Sequence, residues 1–357
     1  MKTYIIRRLM LIVPTIFGIL LANFVIIQFA PGGPVESIVA RYAFGSNARL
    51  YNNTNSAEYD SGQTDVYRGA ESLNSALVHE LEIQFGFDKP AHIRFFRMIR
   101  DYLRFDFGRS YYRNENVLDI IIEKLPASLS LAFWSTAIMY LFAIPLGIRK
   151  AVRDGTQFDI WSSVIMNVFC AIPGFIFAVL LIVLFAGGSY FNIFPIRGLV
   201  SANWHDLSLW NRIIDYLWHI TLPVVCMALS GFAMLTMLTK NSFTDELNKL
   251  YVMTARSKGL TERTILFRHV FRNAMLIVIS SFPLTFLSAL FTGSMLIEVI
   301  FTLDGIGLLG FQSILNRDYP VVFASLYIYT LVGLIFKLIS DIMLTMIDPR
   351  INFNTLP

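Results

Sequence analysis

The sequence YVMTARSKGLTERTILFRHVFRN occupies residues 251–273 and lies between two long apolar stretches of the chain. Gly259 can adopt a positive φ without strain and suits the end of one helix, and Thr261 is a good N-cap for the next. Glu262 would then stand in the first turn of the second helix, where the helix dipole favours a negative charge. The segment therefore predicts a helix, a tight turn and a second helix.

Small and basic side chains are concentrated around this predicted turn. Ala255, Ser257 and Gly259 keep its tip small, and the positive charge comes from five residues: Arg256, Lys258, Arg263, Arg268 and Arg272. A cytoplasmic loop that follows the positive-inside rule would account for the charge. It would not account for the small residues or for the Gly-Leu-Thr break.

The composition is that of a helical membrane protein. Hydrophobic residues make up 55% of the 357 positions, charged residues only 15%, and the mean hydropathy is +0.58. Soluble proteins carry about 25% charged residues. Long apolar runs predict six transmembrane helices in an all-α polytopic fold, at about 9–30, 127–148, 160–187, 218–239, 274–302 and 321–347. The pI near 9.0 does not indicate a nucleic-acid partner, because much of the positive charge falls at the predicted cytoplasmic ends of the spans.

Lysine and arginine predict the orientation. The predicted inner segments hold fourteen of these residues and the two short outer connections hold three, so both termini are expected to be cytoplasmic. The long insert does not count in this rule. The predicted organisation is a first helix with its cytoplasmic end at 1–30, a periplasmic insert at 31–126, a membrane domain at 127–347 that contains a cytoplasmic loop at 240–273, and a cytoplasmic tail at 348–357.

The insert between the first two predicted spans is uneven. The stretch Gly45–Gly69 is polar and is expected to be irregular. Pro90 is expected to open a helix that runs to about Phe105, with Phe96, Ile99 and Leu103 on an apolar face. The charged residues Arg94, Arg97, Arg100, Asp101 and Arg104 are spread over the remainder. Such a basic amphipathic helix would either lie at the membrane surface or pack on the end of the helix bundle.

Motifs for catalysis or for holding a cofactor are missing from the sequence. There is no phosphate-binding loop of the Gly-x-x-x-x-Gly-Lys-Ser/Thr type, so ATP binding by this chain is not expected. The five histidines show no ligand spacing, and the two cysteines fall in separate apolar spans. We therefore predict no catalytic residue, no cofactor and no metal.

Breaks and charges inside the predicted spans carry the remaining information. Pro173-Gly174 is expected to kink the third span. Lys337 and Asp341 are one helical turn apart and could form a neutral pair, and Glu298 lies near the outer end of the fifth span. Charges in spans are costly, so these three either form structural contacts or line a translocation path.

Two motifs at 254–274 resemble the EAA loop of bacterial ABC-importer permeases, in the form of the oligopeptide/dipeptide branch. They are Thr-Ala-Arg-x-Lys-Gly and Arg-His-x-x-Arg-Asn-Ala. Met253 stands where the wider superfamily often has Glu, so the acidic contact of the general motif is not carried over. Ala-Pro-Gly-Gly-Pro at 30–34 resembles the YejB-type peptide permeases of that branch, and Asp348-Pro349-Arg350 resembles the way its members end.

The resemblance covers most of the chain and implies a type I ABC-importer (MetI-like) fold in the bacterial inner membrane. It implies a second homologous permease, two ABC ATPase domains that hydrolyse ATP, a periplasmic peptide-binding protein and a peptide substrate. A nucleic-acid partner is not expected. The residues expected to couple the permease to the ATPases are Thr254, Ala255, Arg256, Lys258, Gly259, Arg268, Arg272 and Asn273.

Two other classes of protein remain open at this point. A self-sufficient secondary transporter or channel could use Glu298 or the pair Lys337 and Asp341, but the loop at 240–273 would then have no purpose. A membrane-anchored structural or receptor protein would need a foldable outer domain, which the polar Gly45–Gly69 stretch does not favour.

Overall fold

The computed structural model of the chain describes residues 2–29, 89–187 and 190–347. Regular structure in these ranges is helical, as the composition predicts, and the extended pairing among them is one isolated bridge between Arg109 and Asn116. The helices are α1 Lys2–Phe29, α2 Ala91–Tyr102, α3 Val117–Val152, α4 Gln157–Ala171, α5 Gly174–Phe185, α6 Leu209–Leu247, α7 Leu250–Ser257, α8 Glu262–Ile300, α9 Ile306–Leu315 and α10 Tyr319–Ile347.

Five of these helices are long and apolar enough to cross a membrane: α1, α3, α6, α8 and α10. The pair α4 and α5 makes a sixth span if it is counted as one broken helix. The described helices therefore accommodate the six predicted spans, with the third span in two pieces.

The break that was expected at Pro173 is present, and it is a sharp corner. The axes of α4 and α5 differ by 92°. Ile172 is extended, with φ −90° and ψ 121°, because a residue before proline avoids the helical region. Pro173 lacks an N–H group and stands at the N-cap of α5, where no such group is needed.

Several helices, α3 and α6 among them, extend beyond the spans that hydropathy predicts, and α9 lies between two of those spans. α3 begins at Val117, about ten residues before the predicted span, and Val117 and Ile120 in this added part are buried. α9 lies in the predicted outer connection 303–320 and is a short apolar helix.

The chain divides into two compact units. The first comprises Met1–Leu9, Ile122–Phe311 and Tyr329–Pro357, and the second Met10–Ile121 and Gln312–Ile328. Apolar residues of α3, α6, α7 and α8 form a core of the first unit, which includes Met139, Leu235, Phe243, Val252, Ile265 and Val278. In the second unit Phe95 of α2 packs on α1, and Tyr102 packs on Phe107 and Tyr327.

Several sequence expectations concern residues outside the described ranges. These are the Pro-Gly-Gly-Pro motif at 31–34, the polar stretch Gly45–Gly69 and the Asp-Pro-Arg motif at 348–350. Of the predicted insert 31–126, the structure describes the part from Lys89 onwards.

Candidate functional site

The helix, turn and helix predicted around Gly259 are confirmed. α7 ends at Ser257, and Gly259 has a φ of +78°. The Gly259 N–H donates to the Arg256 carbonyl at 2.9 Å and the Leu260 N–H to the Ala255 carbonyl at 3.3 Å, which is the Schellman pattern. The Thr261 hydroxyl accepts the Thr264 N–H at 3.4 Å and so caps α8.

α7 has a buried face and an exposed face. Val252 and Ala255 are buried in the core that α7 shares with the start of α8. Leu250 is 80% exposed and Met253 is 57% exposed, and Thr254 is exposed beside them. A short helix thus presents two large apolar side chains, Leu250 and Met253, to its surroundings.

A polar cluster holds α7 between the end of α6 and the start of α8. The Tyr251 hydroxyl donates to Glu246 Oε1 at 2.8 Å and accepts from Asn273 Nδ2 at 3.5 Å. The other carboxylate oxygen of Glu246 pairs with Lys249. Burial, together with the neighbouring Glu246 carboxylate, raises the pKa of Tyr251 to about 12, so this hydroxyl keeps its proton at physiological pH.

An exposed ion pair closes the turn. The Arg256 guanidinium donates to both oxygens of Glu262, at 2.8 and 3.1 Å. A pair this exposed contributes little stability. Its two parallel hydrogen bonds fix the orientation of the Arg256 side chain. The sequence predicted a docking role for Arg256 but not this ion pair.

The predicted coupling residues are brought to one region but differ in exposure. Ala255 is buried, so it supports the helix from below, whereas Thr254, Lys258 and Gly259 are exposed. Arg268, Arg272 and Asn273 are exposed on the opening turns of α8, which include a π-helical segment at Ile265–Val270. Sequence reasoning gave no role to Leu250, Glu246 or Tyr251, although the period of Val252 and Ala255 indicates which side of α7 faces inwards.

A buried ionic cluster lies beside this region. The Lys150 side chain is fully buried, with its ammonium 3.0 Å from Asp159 Oδ1 and within hydrogen-bond distance of Ser162 and Ser163. Lys240 contacts Asp159 Oδ2 at 2.7 Å and Asp154 at 2.8 Å. The cluster joins the end of α3, the start of α4 and α6. The sequence pattern of these lysines predicts only the orientation of the chain in the membrane, not this cluster.

Glu298 is held at the N-terminus of α9. Its carboxylate is fully buried and accepts the Ser128 hydroxyl at 2.7 Å and the Leu308 N–H at 2.9 Å. Ser128 in turn accepts the Ile306 N–H at 2.8 Å. A helix N-terminus favours a negative charge, so this carboxylate is satisfied inside the chain.

The other two candidate charges in the spans lie apart from Glu298. Asp341 pairs with Arg8 at 3.2 Å, and Lys337 is exposed on α10. The structure thus gives Asp341 an ionic partner on α1, where the sequence spacing suggested Lys337. In the described part of the chain there is also no group of three or more His, Cys, Asp or Glu residues that could hold a metal ion.

Comparisons with known proteins agree with this architecture. Residues 143–353 match the family described as "Binding-protein-dependent transport system inner membrane component". The chain is 54% identical over 361 residues to the inner membrane ABC transporter permease protein YejB of Escherichia coli O157:H7, and 99% of each protein is covered. It is 55% identical over 359 residues to the peptidoglycan transport system permease protein YejB of Agrobacterium fabrum strain C58, again with 99% of each covered.

A solved structure shares the fold. A chain of the methionine ABC transporter MetNI, in an inward-facing conformation, matches with a TM-score of 0.51 at 15% identity, over 64% of this chain and 97% of that one. This is the MetI-like fold that the sequence predicts.

The family places the chain in the inner membrane as a multi-pass protein that works with an ATPase and a substrate-binding protein. ATP hydrolysis belongs to the partner ATPase, so the chain is not an enzyme. A self-sufficient secondary transporter or channel is not favoured. The chain belongs to the family of binding-protein-dependent transport system inner membrane components and is the permease subunit of an ABC importer.

Proposed function

We propose that this permease forms half of a pathway that carries peptides across the inner membrane, and that a second homologous permease forms the other half. The motifs at 254–274 resemble those of peptide permeases. One highly similar relative is named for the transport of peptidoglycan, a polymer that contains short peptides. Both observations support a solute with a peptide portion.

Energy enters, in this proposal, through the exposed face of α7. The sequence has no phosphate-binding loop, so the chain depends on a docked ATPase to bias its inward-open and outward-open states. Leu250 and Met253 are exposed on α7 next to Thr254, and a groove on the ATPase would cover them. This exposed apolar pair on a firmly capped helix is the observation that carries the proposal.

The contacts around α7 support a route for the movement. The Tyr251 cluster ties α7 to α6 and α8, and the Ser242 hydroxyl donates to the Ala274 carbonyl at 2.6 Å. Lys240 and Asp159 then tie α6 to α4, and Lys150 ties α4 to α3. A displacement of α7 would move these helix ends together, because buried ionic contacts resist separation.

The orientation supports the same assignment of partners. The bias of lysine and arginine puts both termini and the loop 240–273 in the cytoplasm, where the ATPases are. The insert 31–126 would then be periplasmic, with residues 127–347 as the membrane domain and 348–357 as a cytoplasmic tail. The periplasmic binding protein would dock on that insert and on the connections 188–217 and 303–320.

Of the charges within the spans, Lys337 suits a translocation path best. It is exposed on α10, so it could meet a carboxylate of a peptide. Glu298 has its hydrogen-bonding capacity taken up by Ser128 and α9, and Asp341 is paired with Arg8. These two residues fit structural roles in the span better than contact with substrate.

The test is uptake of labelled peptides into proteoliposomes that contain the complete importer and its binding protein. We expect uptake only with hydrolysable ATP and no effect of a protonophore. Lys337→Gln should lower uptake of anionic peptides more than that of neutral ones, and Lys89→Gln, an exposed lysine outside the spans and outside the α7 cluster, serves as the control. If this chain alone, without ATPases, takes up peptides and a protonophore abolishes that uptake, the chain is instead a secondary transporter.

A further inference from the structure

α2 packs against the C-terminal half of α1, a helix long and apolar enough to span the membrane. The ring of Phe95 lies 5.7 Å from the ring of Phe17 and 5.2 Å from that of Phe24, both on α1. The Arg94 guanidinium lies 6.0 Å from the centre of the Phe24 ring. These contacts hold α2 alongside α1.

The packing also determines the depth of α2. The apolar span of α1 is Arg8–Ile26, and little of it is buried within the chain. At 1.5 Å per residue, Phe17 lies about 13 Å along this span from Arg8. A helix that contacts Phe17 and Phe24 therefore reaches into the membrane from the side on which α1 ends.

The remaining surface of α2 and of the turn Leu103–Arg104 that follows it is exposed and has two stripes. Phe96 and Leu103, seven residues apart, are 65% and 62% exposed. Arg97 and Arg104 are also seven residues apart, and they form an exposed basic stripe with Arg100. Asp101 is the acidic residue of α2 and is only partly exposed. The apolar stripe lies between the packed face and the basic one.

We propose that this surface binds anionic phospholipids of the outer leaflet, with Phe96 and Leu103 among the acyl chains and the three arginines on the phosphates. Arginine suits this role because its planar fork donates two parallel hydrogen bonds to a phosphate and its stem extends along apolar surroundings. A soluble binding protein would have to reach α2 at membrane depth, which makes lipid the better fit. The order of the stripes is that of a helix in the interface, with apolar residues inwards and basic residues outwards.

The experiment measures lipid bound to the purified importer by native mass spectrometry, after release from nanodiscs that contain phosphatidylglycerol and phosphatidylcholine. The test variant is Arg97→Gln/Arg100→Gln/Arg104→Gln. The matched control is Arg109→Gln/Arg113→Gln/Arg197→Gln, which removes the same charge from exposed arginines outside α2. A second variant, Phe96→Ser, removes the apolar contact. Gel filtration and retention of the ATPases check that each variant is assembled.

We expect the wild type and the control to retain phosphatidylglycerol over phosphatidylcholine, and the test variant to lose that preference by about tenfold or more. Phe96→Ser should reduce retention of both lipids. Equal retention in the test variant and the control would overturn the proposal. Displacement of the lipid by millimolar inorganic phosphate would overturn it in favour of a site for free phosphate. Loss of the preference in both triple variants would show a general effect of charge and overturn it too.

Discussion

Asp159 on α4 joins Lys240 on α6 across 81 positions of the sequence, with 2.7 Å between Oδ2 and Nζ. Its other oxygen lies 3.0 Å from the ammonium of Lys150, which has no exposed surface. One carboxylate therefore contacts two lysines at the ends of three helices, and Asp154 supplies the second negative charge through its contact with Lys240. These are the helix ends next to α7, so the cluster is well placed to keep them together during transport.

Asp159→Asn should destabilise the permease strongly. The substitution leaves Lys150 buried without a counter-charge, and breaking one side of a buried ion pair costs about 3–5 kcal/mol. We expect a marked fall in the temperature at which the purified protein unfolds in detergent. The double variant Lys150→Met/Asp159→Asn should unfold at a higher temperature than the single one, because no buried ammonium remains at that position. If the loss of stability in the double variant equals the sum of the losses in the two single variants, the assigned pairing of Lys150 with Asp159 is contradicted.

Gly259→Ala should impair transport more than Gly108→Ala. Both glycines have a positive φ, +78° and +74°, and neither has an atom within 4 Å of the position of an added Cβ. The backbone strain is therefore similar, about 1–2 kcal/mol in each case. Only Gly259 sets the direction of α7, so we expect ATP-dependent uptake to fall further in that variant. Equal uptake by the two variants would show that the turn at Gly259 has no role in coupling.

Gly259→Pro should abolish transport while the protein still inserts in the membrane. Proline cannot adopt a positive φ, and it would also remove the N–H that donates to Arg256. Uptake is compared with the amount of permease in purified membranes. Wild-type uptake by this variant would rule out a role for the turn in coupling.

Gly307→Ala should destabilise the protein, whereas Gly310→Ala in the same helix should be tolerated. A Cβ on Gly307 would stand 2.6 Å from the Met295 Cα, and backbone cannot move aside easily. An added Cβ on Gly310 meets nothing within 4 Å, and alanine favours a helix by about 1 kcal/mol over glycine. Thermal unfolding of the two variants checks this. Equal stability would argue against the close contact of α9 with α8 near Glu298.

The sequence predicts well those features that neighbouring residues determine. The helix end at Gly259, the cap at Thr261 and the break at Pro173 follow from local backbone rules, and all three are confirmed. The span cores follow from hydropathy in the same way. Their ends do not, because buried residues such as Val117 continue α3 beyond the apolar stretch.

Features that depend on distant partners could not be read in this way. Ser128 and Glu298 are 170 positions apart, and the sequence indicated only that a carboxylate in a span needs an explanation. Asp341 takes Arg8 as a partner although Lys337 has the better spacing, because contacts between helices compete with contacts along one helix. The exposure of Leu250 also depends on how α7 packs, so hydrophobicity alone did not mark it as a surface residue.

The most direct test of the central claim compares Leu250→Asp with Leu209→Asp. Each leucine is the first residue of a helix, and they are 80% and 77% exposed, but only Leu250 lies on α7. The measurement is the amount of ATPase that co-purifies with the permease in mild detergent. If energy enters through α7, Leu250→Asp loses the ATPases and Leu209→Asp keeps them. Retention of the ATPases by both variants, with full ATP-dependent uptake, would contradict the proposed docking surface.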